Sequence, residues 1–195
     1  MYTVLRNFII FLFKIAFNLS FEGTENIPQD EPVIIACNHR TYADPIFLSL
    51  KAKRRCTYMA KEELFKNPVF ALLIRTFGAF PVARGKGDTG VIDTAIEKLN
   101  SGKNLAIFPE GTRSKDGKVG KGKTGVALIA ARAGRTVVPC GIAYDGKLGF
   151  RKKVTVRYGK PISPEELKIS NNPAPNELKT LKLTIMNSIT ELVEK

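Results

Sequence analysis

Residues 37–45 read CNHRTYADP and include His39, the only histidine in 195 residues, with Asp44 five positions later. Histidine has the side-chain pKa nearest neutral pH, so it is the usual general base, and a carboxylate that accepts from one ring nitrogen fixes its tautomer. No serine lies between the two residues to act as a nucleophile. The pair is therefore suited to activating an incoming substrate hydroxyl. A solvated loop histidine beside a helix-capping aspartate fits the pattern equally well.

A second polar cluster is the stretch FPEGTRS at residues 108–114. Glu110 is suited to pairing with an arginine or to accepting from a ligand hydroxyl. Gly111 allows a tight turn and a close approach of the backbone to a ligand. Arg113 is suited to binding an oxyanion through two parallel hydrogen bonds. A surface turn with an ion pair is the alternative interpretation.

Two further cations are candidates for phosphate binding. The stretch GAFPVARG at residues 78–85 places Arg84 between small residues, and Lys61 follows a predicted strand. For both, a solvated side chain is the alternative.

Two other patterns resemble functional motifs, but their surroundings in the sequence argue against those functions. Cys37 could pair with His39 as a nucleophile on one strand face, but it ends an apolar run, where a thiol is usually an inert small hydrophobe. Residues 117–124, GKVGKGKT, match the phosphate-binding loop of nucleotide hydrolases. That motif needs a strand directly before its first glycine, and here the preceding residues are polar. We therefore expect a basic loop that leads into a helix.

These side chains must be positioned by an alternation of strands and helices. Apolar runs predict strands at 33–37, 55–60, 104–108, 136–143 and 153–158. Helices are predicted by apolar residues at helical spacing, by the starts Asp44-Pro45 and Asn67-Pro68, and by glycines that end a helix. One helix begins at Asp44, and the others cover residues 68–77, 91–99, 124–133 and 175–194. Pro139 predicts an edge or a bulge in its strand.

The pattern predicts a single α/β domain with a mostly parallel or mixed central sheet flanked by helices. Ligands of such sheets bind beyond the carboxyl ends of the strands. His39 and the 108–114 stretch each follow a predicted strand, so we expect them to meet there.

Composition limits the cellular compartments and the classes of partner that fit this sequence. Net charge is +13, and residues 51–160 carry 24 basic and 8 acidic groups, which predicts a phosphate-bearing partner: a nucleic acid, an anionic membrane or a small molecule. Nucleic acid is disfavoured because few aromatic residues interleave with the basic ones. Three cysteines without C-x-x-C spacing indicate a reducing compartment, with neither a disulfide framework nor a zinc site.

The N-terminal segment is rich in Phe, Ile and Leu from residue 4 to residue 21, and its Asn7, Lys14 and Asn18 would form one polar stripe on a helix. The interruption by Lys14 argues against a membrane span, and no cleavage site typical of a secretory signal follows. We expect an N-terminal helix over residues 1–21 that lies in a membrane interface, the alternative being a helix packed on the domain's own core.

Taken in order, these stretches resemble the glycerolipid acyltransferase family, specifically its 1-acyl-sn-glycerol-3-phosphate acyltransferases. Asn38, His39 and Asp44 match the block N-H-x-x-x-x-D, and the stretches at 78–85 and 108–114 match the second and third blocks. Residues 137–142, VVPCGI, match the fourth. The resemblance covers residues 20–160 and makes residues 22–195 the acyltransferase domain.

The resemblance implies that His39, oriented by Asp44, deprotonates the 2-hydroxyl of a lysophospholipid, which attacks the thioester of acyl-CoA or acyl carrier protein directly. Residues implied to bind the acceptor are Lys61, Arg84, Glu110, Gly111, Thr112 and Arg113. No metal or bound cofactor is implied. The implied location is the cytoplasmic face of an anionic cell membrane, in peripheral or monotopic attachment. Another lysophospholipid acceptor and a thioesterase using the same dyad remain alternatives.

Overall fold

The computed structural model describes residues 2–82 and 89–195. Its helices are α1 (Tyr2–Ala16), α2 (Asp44–Ser49), α3 (Pro68–Thr76), α4 (Thr89–Asn100), α5 (Gly125–Ala133) and α6 (Pro175–Glu194). Its strands are β1 (Asn18–Glu22), β2 (Ile34–Cys37), β3 (Cys56–Lys61), β4 (Ala79–Val82), β5 (Asn104–Ile107), β6 (Val137–Ala143) and β7 (Lys153–Tyr158).

The strands form one sheet in the order β1-β7-β6-β2-β5-β3-β4. Strands β2 to β6 run parallel to one another, β7 is antiparallel to β6, and β1 is parallel to β7. The predicted fold class, a mixed α/β sheet flanked by helices, is confirmed. We call the end of the sheet at which β2 to β6 terminate its carboxyl end. Because β1 and β7 run the other way, both strands begin there.

Apolar cores cover both faces of the sheet. In β2, Ile34 and Ala36 face the core shared with α4, α5 and α6, whereas Ile35 and Cys37 face the core that contains Phe47 of α2. All four side chains of this strand are fully buried. This two-sided burial explains why the strand is a continuous apolar run instead of an alternating one.

The N-terminal helix is shorter than predicted. It ends at Ala16 instead of residue 21, and residues 18–22 form β1, which pairs with β7. Leu19 and Phe21 pack against the core on the α2 face, so the alternation of Phe17, Leu19 and Phe21 was a strand signal within the apolar run. Within the described residues, no helix is both long and apolar enough to cross a membrane.

Helix α1 has one face packed on the domain and one apolar face that is exposed. On one face Phe13 packs edge-on against Phe47, with ring centroids 5.3 Å apart. On the other face Phe8, Phe11, Leu12 and Ile15 are between 44% and 58% exposed. The helix is therefore packed on the domain and still presents an apolar surface to its surroundings.

The residue type of Pro139 predicted an edge strand or a bulge, and neither is observed, since its strand pairs with β2 in unbroken register. Strand β6 lies inside the sheet between β2 and β7, with Pro139 opposite Ala36 of β2. The Pro139 nitrogen, which carries no hydrogen, faces β7 at the point where that strand ends. On the same side, the Pro139 carbonyl accepts from the Gly159 N–H at 2.8 Å. The missing donor thus falls just beyond the β6–β7 ladder, which ends at the Cys140–Tyr158 pair.

Candidate active site

His39 lies in the loop that leaves the carboxyl end of β2. Its ring Nδ1 is 2.8 Å from Oδ2 of Asp44, the first residue of α2. The imidazole is 18% exposed and the carboxylate is fully buried. The loop therefore folds Asp44 back onto His39, as the sequence hypothesis required.

Asp44 does not cap α2, which was the alternative role suggested for it. Its Oδ2 accepts from the backbone N–H groups of Arg40 and Thr41, at 2.6 and 2.7 Å. Its Oδ1 accepts from the Thr41 hydroxyl at 2.7 Å. Because Oδ2 is surrounded by donors, the ring proton of His39 resides on Nδ1, and Nε2 keeps the lone pair that a general base needs. Nε2 forms no hydrogen bond within the described residues.

The turn at 108–114 lies directly beside His39. The Phe108 ring stacks on the imidazole, with centroids 4.0 Å apart and planes inclined by 18°. The Ser114 N–H donates to the His39 carbonyl at 2.7 Å. The two polar clusters that the sequence placed at the carboxyl ends of two strands are therefore in contact.

Glu110 joins three segments of the chain. One carboxylate oxygen accepts from the His39 backbone N–H at 2.9 Å, and the other accepts from the Gly120 N–H at 3.0 Å. The residue is only 8% exposed. Burial raises the pKa of Glu110 above its usual value, although the two N–H donors and His39 oppose that shift. These contacts fix the backbone at His39, and the sequence did not anticipate them.

The stretch that resembled a nucleotide-binding loop folds onto this turn. The Gly120 N–H donates to Glu110, and the Lys123 N–H donates to the Pro109 carbonyl at 2.9 Å. No strand precedes the stretch directly, because β5 ends at Ile107. The N–H groups of Gly120 and Lys123 are thus used within the protein, and the predicted basic loop before α5 is confirmed.

Arg113 and Thr112 are exposed at the same end of the sheet. The Arg113 guanidinium lies 3.7 Å above the Tyr42 ring and donates to the Tyr42 hydroxyl at 3.0 Å. Gly111 has φ +72°, a conformation that favours glycine, and its N–H donates to the Phe108 carbonyl at 3.0 Å. The Gly111 N–H is thus used to close the turn and is not directed toward a ligand.

The two other predicted cations have different outcomes. Lys61 is the exposed last residue of β3, at the carboxyl end of the sheet and three residues beyond the Tyr58–Ala106 pair. Arg84 lies outside the described residues, two positions after β4 ends at Val82.

Several residues that shape the site were not predicted as part of it. The Asn38 side chain exchanges two hydrogen bonds with the Ile142 backbone, at 2.8 and 3.0 Å, and so joins the ends of β2 and β6. Arg40 donates to the Tyr144 and Gly146 carbonyls. These residues, with Thr41 and Phe108, lie inside or beside the quoted motifs, so proximity in sequence was the available signal.

Cys37 has none of the features of a nucleophile. It is fully buried, and burial raises the pKa of its thiol well above the ordinary value, with nearby Cys140 adding to the shift. A thiol held in its neutral form in the core is a poor nucleophile.

The candidate active site therefore consists of a buried carboxylate that orients one imidazole, at the carboxyl end of a mixed sheet and against the F-P-E-G-T-R-S turn. The Acyltransferase family model matches residues 18–143, and the chain belongs to this family.

Individual relatives agree with that assignment. The chain is 34% identical to the 1-acyl-sn-glycerol-3-phosphate acyltransferase of Streptococcus pneumoniae, over 88% of this chain and 66% of that protein. It is 30% identical to the Bacillus subtilis protein of the same name, over 100% of this chain and 98% of that protein. It also resembles the crystal structure of the 1-acyl-sn-glycerophosphate (LPA) acyltransferase PlsC from Thermotoga maritima, with 27% identity and a TM-score of 0.74, over 100% of this chain and 81% of that chain.

Proposed function

We propose that the protein transfers a fatty acyl group from a thioester to the 2-hydroxyl of 1-acyl-sn-glycerol-3-phosphate and so forms phosphatidic acid for phospholipid synthesis. The observation that carries this proposal is the 2.8 Å contact between His39 Nδ1 and Asp44, placed against the 108–114 turn. The names of the relatives, 1-acyl-sn-glycerol-3-phosphate acyltransferases, supply the acceptor.

In the proposed reaction, His39 Nε2 takes the proton of the acceptor hydroxyl while Asp44 stabilises the imidazolium through Nδ1–H. The oxygen attacks the thioester carbonyl carbon, and a tetrahedral intermediate forms. When the carbon–sulfur bond breaks, the imidazolium returns the proton to the leaving thiolate. The buried state of Cys37 supports direct transfer without an acyl-enzyme on that residue.

For acceptor binding, we assign the phosphate and glycerol to Arg113, Thr112 and Lys61, all exposed at the carboxyl end of the sheet, and to Arg84 from its place in the sequence. Glu110 acts as a positioning residue, because both of its oxygens already accept backbone N–H groups. Oxyanion stabilisation falls to the backbone N–H groups of Thr112 and Arg113, since that of Gly111 closes the turn.

The acyl donor is acyl-CoA or acyl carrier protein, and the chemistry needs neither a metal nor a bound cofactor. The net charge of +13 supports binding to anionic substrates and to an anionic bilayer. The exposed apolar face of α1 supports peripheral attachment of the protein to the cytoplasmic face of the membrane.

The test combines purified protein, lysophosphatidate and either acyl-CoA or acyl carrier protein, and measures phosphatidate. His39→Ala should lower kcat by roughly a hundredfold or more, because general-base catalysis is lost. Arg113→Ala should mainly raise KM for lysophosphatidate, because it removes an exposed cation that does not contact His39.

Turnover in His39→Ala equal to wild type would contradict the mechanism. Lys179→Ala, an exposed substitution on α6, is the matched control for loss of a cation. Release of free fatty acid at the same rate with and without lysophosphatidate would identify a thioesterase instead.

A further inference from the structure

A groove of about 470 Å³ lies between α1, β1 and the end of α2, on the face of the sheet that carries α2. Part of its wall is apolar, formed by Phe17, Phe21 and Leu50. Three cations also line it: Lys14, Lys51 and Arg151. The groove therefore combines an apolar surface with a concentration of positive charge.

The three cations have no acidic partner within the described residues. The ion pairs formed there involve His39, Arg132, Arg135 and Arg157, and none involves Lys14, Lys51 or Arg151. The Lys51 ammonium instead lies 4.9 Å from the centre of the Phe21 ring. No carboxylate of the described residues lines the groove. Unpaired cations beside an apolar wall are complementary to a ligand that is itself anionic and apolar.

Arg151 is held at the groove by its backbone. It has φ +59°, which is uncommon for a residue with a side chain, and its N–H donates to the Ala16 carbonyl at the end of α1 at 2.6 Å. The next residue, Lys152, accepts from the Asn18 N–H at 3.0 Å through its carbonyl. The loop before β7 and the end of α1 are thus joined, and both lie at the carboxyl end of the sheet.

The groove is separate from the candidate active site. Asp44 begins α2, and Leu50, which lines the groove, follows its last residue. At 1.5 Å per residue, these positions lie about 9 Å apart along the helix axis. None of the groove residues forms a hydrogen bond to His39 or Asp44 within the described residues.

We propose that this groove is a second lipid site, which binds an anionic phospholipid of the bilayer that is not a substrate. The three cations bind the lipid phosphate, and the apolar wall receives the start of an acyl chain. The neighbouring apolar face of α1 continues this surface toward the bilayer. The site does not depend on the proposed reaction, since it requires only an anionic membrane.

The test measures binding of monomeric dihexanoylphosphatidylglycerol to the full chain by calorimetry, so that no vesicle surface is present. The groove variant is Lys14→Ala combined with Arg151→Gly, in which glycine accepts the positive φ. We expect its affinity to fall roughly tenfold or more, because two of the three cations that attract the anionic lipid are lost. Lys51→Gln alone, at an exposed position, should weaken binding severalfold and provides a second test if the double variant fails to fold.

The matched control is Lys160→Ala combined with Lys179→Ala, which removes the same charge at exposed positions away from the groove. It should bind like wild type, and so should His39→Ala. Three results would each overturn the proposal: equal loss of affinity in the control, loss of binding in His39→Ala, or displacement of the lipid by an equal concentration of inorganic phosphate. The second would place the probe in the candidate active site, and the third would indicate a site for free phosphate.

Discussion

Asp44 has two structural roles in the candidate active site. It accepts from the His39 ring, and it also accepts from two backbone N–H groups and one hydroxyl of residues 40–41. The residue that orients the candidate base is therefore the one that closes its loop. A fully buried carboxylate in this position is stable only while these donors stay in place.

Asp44→Asn should lower the free energy of unfolding by about 2–4 kcal/mol, because an amide NH₂ would face N–H donors in a buried site. Thr41→Val removes the hydroxyl that donates to Asp44 at 2.7 Å and accepts from the Ala43 N–H at 3.2 Å, so it should lower stability by about 1–2 kcal/mol while most activity remains. Urea denaturation measures both effects. Equal destabilisation by the two substitutions would show that Asp44 is not the centre of the loop.

Glu110 should give stability a specific pH dependence. Burial raises its folded-state pKa above the usual 4.5, so the folded protein holds this proton more tightly than the unfolded chain does. Its contribution to stability is therefore largest below pH 4.5 and decreases as pH rises through the raised pKa. The advantage of wild type over Glu110→Gln should shrink as pH rises above 4.5 in denaturation series. An advantage that grows over that range would contradict this assignment, and the exposed substitution Glu165→Gln supplies the baseline.

At the scale of elements, the stretch 117–124 packs against the 108–114 turn and so supports the candidate active site. Its Gly120 N–H reaches Glu110, which in turn accepts from the His39 N–H. A Cβ at position 120 would lie 2.8 Å from Glu110 Oε2. The glycine is therefore required by the close approach of a buried carboxylate.

Gly120→Ala should lower the free energy of unfolding by about 1–3 kcal/mol and reduce kcat, because overpacking displaces Glu110 and with it the His39 backbone. Gly125→Ala is the matched control, since a methyl group added to this first residue of α5 would meet no atom within 4 Å. The control should be as stable as wild type or slightly more so. Thermal denaturation and initial rates would reveal a contradiction if the two variants behaved alike.

At the scale of the whole molecule, positive charge and exposed apolar surface occur together on a chain with net charge +13. Helix α1 divides its aromatic residues between two environments. Phe13 packs on Phe17 and Phe47, whereas Phe8 and Phe11 are 56% and 58% exposed. Folding and membrane attachment should therefore respond to different substitutions in the same helix.

The double variant Phe8→Ser, Phe11→Ser should bind anionic vesicles roughly tenfold more weakly in flotation assays, with the free energy of unfolding nearly unchanged. Phe13→Ser should have the opposite profile and lose about 2–4 kcal/mol of stability. Vesicle binding of the double variant at the wild-type level would show that this face of α1 does not enter the bilayer.

Much of this architecture follows from local patterns. Buried runs such as 34–37 and 104–107 predict their strands because two-sided burial leaves no polar alternation, and the meeting of His39 with residues 108–114 follows from parallel strand direction. The strand β1 was hidden because the apolar residues of α1 continue into it without a break. The interior position of Pro139 and the contacts of Glu110 depend on where neighbouring segments end. Tertiary context decides such features, and a single sequence does not carry it.

The pairing of β1 with the reversed strand β7 fixes the position of α1 relative to the candidate active site. Because β1 pairs with β7 from Asn18 opposite Lys153, α1 is placed at a fixed height relative to the His39 loop. A shift of that register by two residues would slide the helix by about 7 Å, which is about the thickness of one lipid headgroup layer. Strand pairing at the edge of the sheet thus fixes the position of α1 along the direction of the strands. Under the proposed attachment of α1 to the bilayer, this pairing would set the distance between the His39 imidazole and the hydroxyl of a lysolipid in its leaflet.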